Sequence, residues 1–303
     1  MCTPDSRISL VMITFNRRDE VLRSLSSLSE LPERPQIVVV DNGSADNTAE
    51  AIAERYPAVR LIRSASNLGA AARNLGVECV DTPYVAFADD DVVWEPGSLS
   101  HAADLFDAQP NLGLAVARVL VGRKNQEDPI CRVLEQSPLP RVQGMPGPSL
   151  LGFLAGACAV RRSAFQAAGG FPSWIVLGGE EELLAADLAA LGWWICYVPQ
   201  LVVHHYPSSV RDSRTRRIYQ LRNGLCFAWL RRPLGLAIRQ TLAMGLAGLC
   251  DRSARQALAM ALGRLPLLLR ERRVLPAEVE RCLVLLERRE SRAKALVAQG
   301  APV

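Results

Sequence analysis

The chain has 303 residues, 49% of them hydrophobic and 22% charged, with a formal net charge of +4. This is ordinary globular composition, long enough to bury a large core without disulfide or metal staples. The eight cysteines include no C-x-x-C pair, which excludes the common structural zinc spacings and reads as reduced, buried thiols.

The first apolar run, residues 8–13, is short, rich in branched side chains and bounded by Thr14, as expected of a buried strand. Residues 18–31 follow with Val21, Leu22, Leu25 and Leu28 at helical spacing. A second buried strand at 36–40 stops at Asp41-Asn42-Gly43-Ser44; a helix at 46–56 and a third strand at 59–63 come next. Asn67-Leu68-Gly69 opens an alanine-rich helix over 67–79, and a fourth strand at 84–88 ends at Asp89-Asp90-Asp91. Strands alternating with helices across short links predict an α/β fold with a mostly parallel sheet flanked by helices. Ligands in such sheets bind beyond the carboxyl ends of the strands. Thr14, Asn16, Asp41, Asn67 and the triad Asp89, Asp90 and Asp91 are therefore expected to converge on one crevice.

Regularity falls beyond about residue 112. A strand is expected at 114–121, a long loop rich in Pro, Gly and charge at 123–149, and a strand containing Gly156 at 150–160. A helix at 178–191 is entered through two glycines and three glutamates. Extended segments at 193–198 and 201–204 are separated by Pro199, and 211–303 reads as helical throughout. Charge divides at the same place: residues 1–210 carry 16 Lys and Arg against 24 Asp and Glu, residues 211–303 carry 19 against 7. The opening residues show no signal-peptide pattern. The longest charge-free runs, 142–160 and 188–210, are interrupted by Pro146, Pro148 and Pro199 and by His204 and His205, so a cytoplasmic protein is expected.

Three adjacent carboxylates repel each other unless a cation neutralises them, and hard Mg²⁺ or Mn²⁺ favours oxygen ligands. After a buried strand in this pattern, the Asp89-Asp90-Asp91 triad reads as a metal site rather than a solvated turn. His204 and His205 close an apolar strand, where one imidazole is either structural or a metal ligand. Glu180, Glu181 and Glu182 stand at a helix start, where they favour the helix dipole or supply a general base. Asn67 caps a helix whose N-terminus, with Arg73 about one and a half turns on, suits an anion such as a diphosphate.

Taken in order, these segments resemble the inverting family 2 glycosyltransferases of the GT-A (Rossmann-like) fold. The matches are V-M-I-T-F-N at 11–16, V-V-V-D-N-G-S-A-D at 38–46, N-L-G-A-A-A-R-N-L-G at 67–76 and A-D-D-D-V at 88–92. They continue with F-L-A-G-A-C-A-V-R-R-S-A-F-Q-A-A-G-G-F at 153–171, Gly179-Glu180-Glu181 with Gly192-Trp193 further on, and V-P-Q-L-V-V-H-H at 198–205. The resemblance covers roughly residues 8–230 and implies transfer of a sugar from a nucleotide-sugar donor to a hydroxyl acceptor, with Mn²⁺ or Mg²⁺. It implies that Asp41 holds the nucleobase, that Thr14 and Asn16 line that pocket, and that Asn67, Arg73, Asp89 and Asp90 serve the rest of the donor. Asp91, with Asp89 and His205, would hold the metal, His204 being the neighbouring alternative. Glu181 would be the general base, Glu180 would shape the acceptor site, and Gly156 and Ala157 would lie on the acceptor side. The family usually has aspartate where this chain has Glu181, and often a further aspartate at the position of Leu183.

The organisation this implies is a GT-A catalytic domain at 1–210, its nucleotide-sugar half about 1–121 and its acceptor half about 122–210, followed by a basic helical extension at 211–303. That extension suits a cap on the catalytic domain, a homodimer interface, or peripheral contact with an anionic membrane at its inner face. It carries no nucleic-acid recognition motif, so no nucleic acid is expected. A UDP- or dTDP-sugar is the favoured donor. A sugar nucleotidyltransferase should carry a G-x-G-T-R-type loop after the first strand, and 14–18 lacks it. A non-catalytic nucleotide-binding scaffold of the same fold is the alternative that intact Asp89, Asp91 and Glu181 oppose.

Overall fold

The computed structural model describes residues 5–175, 178–207 and 213–298. Its strands are β1 (Ile8–Thr14), β2 (Gln36–Asp41), β3 (Arg60–Arg63), β4 (Tyr84–Asp89), β5 (Val92–Trp94), β6 (Leu112–Val121), β7 (Gln126–Glu127), β8 (Ala157–Arg161) and β9 (Trp194–His205). The helices among and after them are α1 (Arg18–Leu28), α2 (Thr48–Arg55), α3 (Ala72–Glu78), α4 (Ser98–Ala108), α5 (Pro129–Glu135), α6 (Arg162–Ala167) and α7 (Glu180–Ala190). The chain closes with α8 (Ser213–Arg231), α9 (Leu234–Cys250), α10 (Arg252–Leu262), α11 (Leu265–Arg270) and α12 (Ala277–Ala298).

One sheet runs in the order β3-β2-β1-β4-β8-β6-β9-β5, with β7 paired to β6. The β3-β2-β1-β4 half is parallel, as its short strand–helix links require. Thr14 lies opposite Asp41, and Ile13 opposite Asp89, so these strands end on one edge. Beyond β4 the pairing changes: β8 runs antiparallel between β4 and β6, and β6 pairs parallel with β9. Since β8 is antiparallel to β4, its first residue Ala157 faces Ala88, and the chain entering it crosses the end of β4.

Several elements differ from their expected extents. The segment 67–79 opens as a turn, with the Asn67 side chain accepting from the Gly69 N–H, continues as a 3-10 turn at Gly69–Ala71, and becomes α-helical only at Ala72. The strand expected at 150–160 is confined to β8. The two extended segments expected at 193–198 and 201–204 form one strand, β9 (Trp194–His205), because the register jump between Ala117 and Arg118 lets Pro199 bulge out where no donor is needed. The long loop at 123–149 contains β7 and α5.

The main core fills both faces of the sheet, with Val11, Val38, Phe87, Trp94 and Val116 fully or almost fully buried. The C-terminal helices pack on α7: Leu183 contacts the cluster holding Leu225, Leu230 and Leu268, and Ala186 the one holding Leu275 and Val279. Each leucine so buried contributes about 1.5–3 kcal/mol. No disulfide joins the cysteines among the described residues. The expected boundary at 210/211 lies outside the described residues.

Candidate active site

A cleft of about 760 Å³ opens at the carboxyl edge of the parallel strands. Thr14, Asn67, Arg73, Asp89, Asp90, Asp91, Gly156, Ala157, Glu180, Glu181 and His205 all line it. Residues nearly 200 positions apart thus share one space of the size that takes a nucleotide-sized ligand. Asn16 and Asp41 are outside this lining. Asp41 is fully buried, its carboxylate accepting from the Ser44 N–H at 3.2 Å, and Asn16 has a positive φ and accepts from the Ala45 N–H at 2.8 Å.

The three aspartates at the end of β4 have different surroundings. Asp89 pairs with Arg73, whose buried guanidinium also lies over the Phe87 and Phe171 rings at 5.9 and 5.6 Å. Arg73 is 3% exposed, and its Nε has no hydrogen-bond partner. Asp90 accepts from Thr14 Oγ1 at 2.9 Å and from Arg17 Nη1 at 2.6 Å. Burial pushes Asp90 up to about 7, against the pull of Arg17. Asp91 sits 2.9 Å from Arg17 Nη2 and 3.6 Å from His205 Nε2. Burial opposes its charge, but His205 and Arg17 together hold it below the ordinary carboxylate value.

The two histidines separate by strand alternation. His205 lies opposite Val92 and beside Asp91, and the Tyr206 N–H donates to the Asp91 carbonyl at 2.8 Å. His204 points the other way, 3.1 Å from Asn125 Oδ1 and 3.4 Å from Glu95 Oε2.

Glu180 and Glu181 enter the cleft because two glycines of positive φ, Gly178 and Gly179, turn the chain sharply into α7. Burial raises both carboxyls; Glu181, with Glu180 beside it, is pushed up to about 7. Arg73 favours the charged form of both, and Arg216 that of Glu180, but neither offsets burial.

Asp91 and His205 suit a hard or borderline divalent cation as an oxygen and a nitrogen donor. Among the described residues no group of three or more His, Cys, Asp or Glu side chains is arranged to hold a metal ion. Two protein donors beside an open cleft fit a cation completed by substrate phosphate and water.

Arg17, Asn42 and Arg216 also line the cleft and were not among the residues expected from sequence. Arg17 sits next to the T-F-N turn, a basic residue just past a strand end, which was the available signal. Asn42 latches the loop opposite, accepting from the Leu68 N–H at 3.1 Å and donating to the Gly69 carbonyl at 3.3 Å. Arg216 belongs to the basic extension and reaches the cleft from α8.

The family model for glycosyl transferase family 2 matches residues 9–169. Among curated relatives, the N-acetylglucosaminyl-diphospho-decaprenol L-rhamnosyltransferase of Mycobacterium tuberculosis is 29% identical over 280 residues, covering 78% of this chain and 91% of that protein. Among solved structures, a mannosyltransferase from Pyrobaculum calidifontis in complex with GDP-Man and Mn²⁺ superposes with TM-score 0.55 at 19% identity, over 98% of this chain and 81% of that one. GalNAc-T7 with UDP, GalNAc and Mn²⁺ gives TM-score 0.58 at 15% identity, over 75% and 48%. The fold, the order of motifs and a model match over more than half of the sequence agree: the chain is a GT-A glycosyltransferase and belongs to glycosyl transferase family 2.

Proposed function

We propose that the protein transfers a sugar from a UDP- or dTDP-sugar to a hydroxyl of an acceptor by a single inverting displacement, with Glu181 as general base. The observation that carries this reading is the presence of a carboxylate raised to about 7 in the same cleft as the Asp91–His205 pair. A carboxylate whose proton affinity is raised by burial and by the adjacent Glu180 is a stronger base than an exposed glutamate and is better suited to take a hydroxyl proton. Glu181 removes the proton as the acceptor oxygen attacks the anomeric carbon, and the bond to the nucleotide diphosphate breaks. Glu180, less exposed than Glu181 and beside it, shapes the acceptor end. Arg73 fixes Asp89, and both line the cleft with Asn67, where they would serve the donor.

Asp91 and His205 are the residues that would hold Mn²⁺ or Mg²⁺, which would stabilise charge on the leaving diphosphate. Two solved neighbours bind Mn²⁺ with a nucleotide or nucleotide-sugar, which supports a metal here. The relative named for N-acetylglucosaminyl-diphospho-decaprenol supports an acceptor of the same class, a sugar on a polyprenyl diphosphate, and such an acceptor would have the protein work peripherally at the inner face of a membrane. Asp41 and Asn16, next to the cleft, serve the nucleobase end.

Calorimetric titration of UDP, dTDP and GDP, with and without Mn²⁺, tests this reading, repeated on Asp91→Ala. Metal-dependent binding of one nucleotide, lost in the variant, is the expected result. Binding without transfer to any lipid-linked or free acceptor would favour the non-catalytic scaffold, and no binding at all would sink the donor assignment.

A further inference from the structure

The helices after the catalytic part carry a surface that sugar transfer does not use. α9 buries only Ala237 and Gly248. Along its outer side Leu234, Ile238, Leu242, Leu246 and Leu249 stand 44–75% exposed. Their spacing of four, four, four and three residues aligns them in one stripe about 22 Å long. Leu262, Leu269 and Val274 extend the exposure into the segments that follow. Residues 234–274 hold eight of the fourteen exposed large hydrophobic side chains among the described residues. Scattered apolar side chains are normal on a surface, whereas a continuous ridge marks a contact site.

Charge identifies the occupant. The same stretch contains seven arginines and two acids, and both acids are engaged. Asp251 caps α10 through the Ser253 and Ala254 N–H groups and pairs with Arg217 at 2.6 Å, and Glu271 lies 3.4 Å from Arg270. Arg239, Arg252, Arg255, Arg270 and Arg273 are exposed. A second copy docking through this face would set two such arginine-rich surfaces against each other, which like-charge repulsion opposes. A bilayer with anionic headgroups offers the apolar depth and the negative charge together. Among the described residues no helix is long and apolar enough to cross a membrane, so the face would lie in the interface plane.

We propose that the outer face of α9 docks the protein on an anionic bilayer, its leucine stripe in the acyl boundary and the flanking arginines at the headgroups. α8, which packs against α9 and α10, brings Arg216 into the cleft, so the docked face is joined to the active site through one helix. The surface stands on its own exposure and charge and does not depend on which sugar is transferred.

Flotation of the full chain with vesicles tests it. The protein is expected to rise with vesicles of phosphatidylcholine and phosphatidylglycerol in equal parts, and not with phosphatidylcholine alone. The pair Leu242→Glu and Leu246→Glu should cut the bound fraction roughly tenfold or more. The pair Arg239→Glu and Arg270→Glu should weaken it in the same direction, and raised salt should do likewise. Nucleotide titration on the same preparations reports whether each variant is folded and separates a failure here from a failure of the donor assignment. Absence of flotation by the wild-type chain, or flotation by both variant pairs equal to that of the wild type, would overturn the proposal. So would a dimer in light scattering, dispersed by the leucine pair, with no vesicle binding.

Discussion

The backbone at Gly156 runs so close to Asp89 that a Cβ there would lie 2.5 Å from Oδ2 and 2.6 Å from Cγ. The approach follows from the antiparallel pairing of β8 with β4, which sets Ala157 opposite Ala88. Arg73 holds the same carboxylate from the other side, so Asp89 cannot give way without losing its ion pair. Gly156→Ala is expected to swing Asp89 off Arg73 and lower kcat/KM roughly 10–100-fold. The core is untouched by this change, so the melting temperature should stay close to wild type. Full activity in the alanine variant would remove the placement of Asp89 from the mechanism.

The general-base role proposed for Glu181 gives the reaction a pH dependence of predictable sign. Burial, then the adjacent Glu180, raises its proton affinity from the ordinary 4.5 to about 7. A general base must be ionised, so kcat should rise with pH through about 7 and then level. Folding responds in the opposite direction. The folded state binds this proton more tightly than the unfolded chain, so the stability it contributes is complete below about 4.5 and is lost as pH rises through about 7. Glu181→Gln should therefore cut kcat by about 10²–10⁴-fold and leave the melting temperature at about pH 8 equal to or above wild type. An acidic limb that persists unchanged in the residual activity of the Glu181→Gln variant would assign the titration to another group.

The two histidines should separate cleanly. His205 is beside Asp91, while His204 engages Asn125 and Glu95 on the opposite side of the strand. His205→Ala is expected to weaken Mn²⁺-dependent nucleotide binding about 10–100-fold, and His204→Ala to leave it within roughly twofold. Calorimetry on the two single variants decides it, and equal losses would mean that the pair acts through the strand rather than through a metal.

How much of this was legible in the sequence depended on how local each contact is. The parallel half was readable because the strands alternate with helices up to β4 and each ends at a polar residue, which put Thr14 and Asp89 on one edge. The acceptor half was less so. β8 inserts between β4 and β6 by antiparallel pairings that leave no periodic trace, so the strand expected at 150–160 is only Ala157–Arg161 and Gly156 lies just before it. The choice between His204 and His205 needed the register against Val92, which spacing alone does not supply. Arg17 carried only its place just past β1 as a signal, because its partners lie 73 and 74 positions away.

Arg17 bridges Asp90 and Asp91 with one guanidinium, so a fixed cation stands where a divalent cation would compete. Arg17→Gln should free Asp91 and raise Mn²⁺ affinity in the absence of nucleotide by about tenfold. It should also cost about 1–3 kcal/mol of metal-free stability, since Asp90 and Asp91 are then buried side by side without their partner. Added Mn²⁺ should recover part of that loss by binding only the folded state. Metal titration followed by thermal melting measures both effects. A variant with weaker metal binding would show that Arg17 organises the site rather than competing for it.

α7, the helix that begins with Glu180 and Glu181, is tied to the basic extension through Arg231 and Asp187. Arg231 Nε lies 2.5 Å from Asp187 Oδ1, and Nη2 donates to Oδ2 at 2.9 Å, a bidentate pair between the last residue of α8 and the middle of α7. Arg231 is 9% exposed and also donates to the Glu271 carbonyl at 3.2 Å, so it ties three segments together. Asp187→Asn keeps the shape of the side chain but leaves a nearly buried guanidinium without its counter-charge. That should cost about 2–4 kcal/mol and lower the melting temperature by several degrees. Glu180 and Glu181 begin the same helix, about two turns before Asp187, so loosening α7 moves the proposed base while Asp89 and His205 stay on their strands and Asp91 in the turn between β4 and β5. The expected kinetic signature is a fall in kcat with the KM for the nucleotide-sugar unchanged, because the donor end is left intact. An equal rise in KM would mean that the extension supports the donor end as well, which the packing of α8 on α7 alone does not provide.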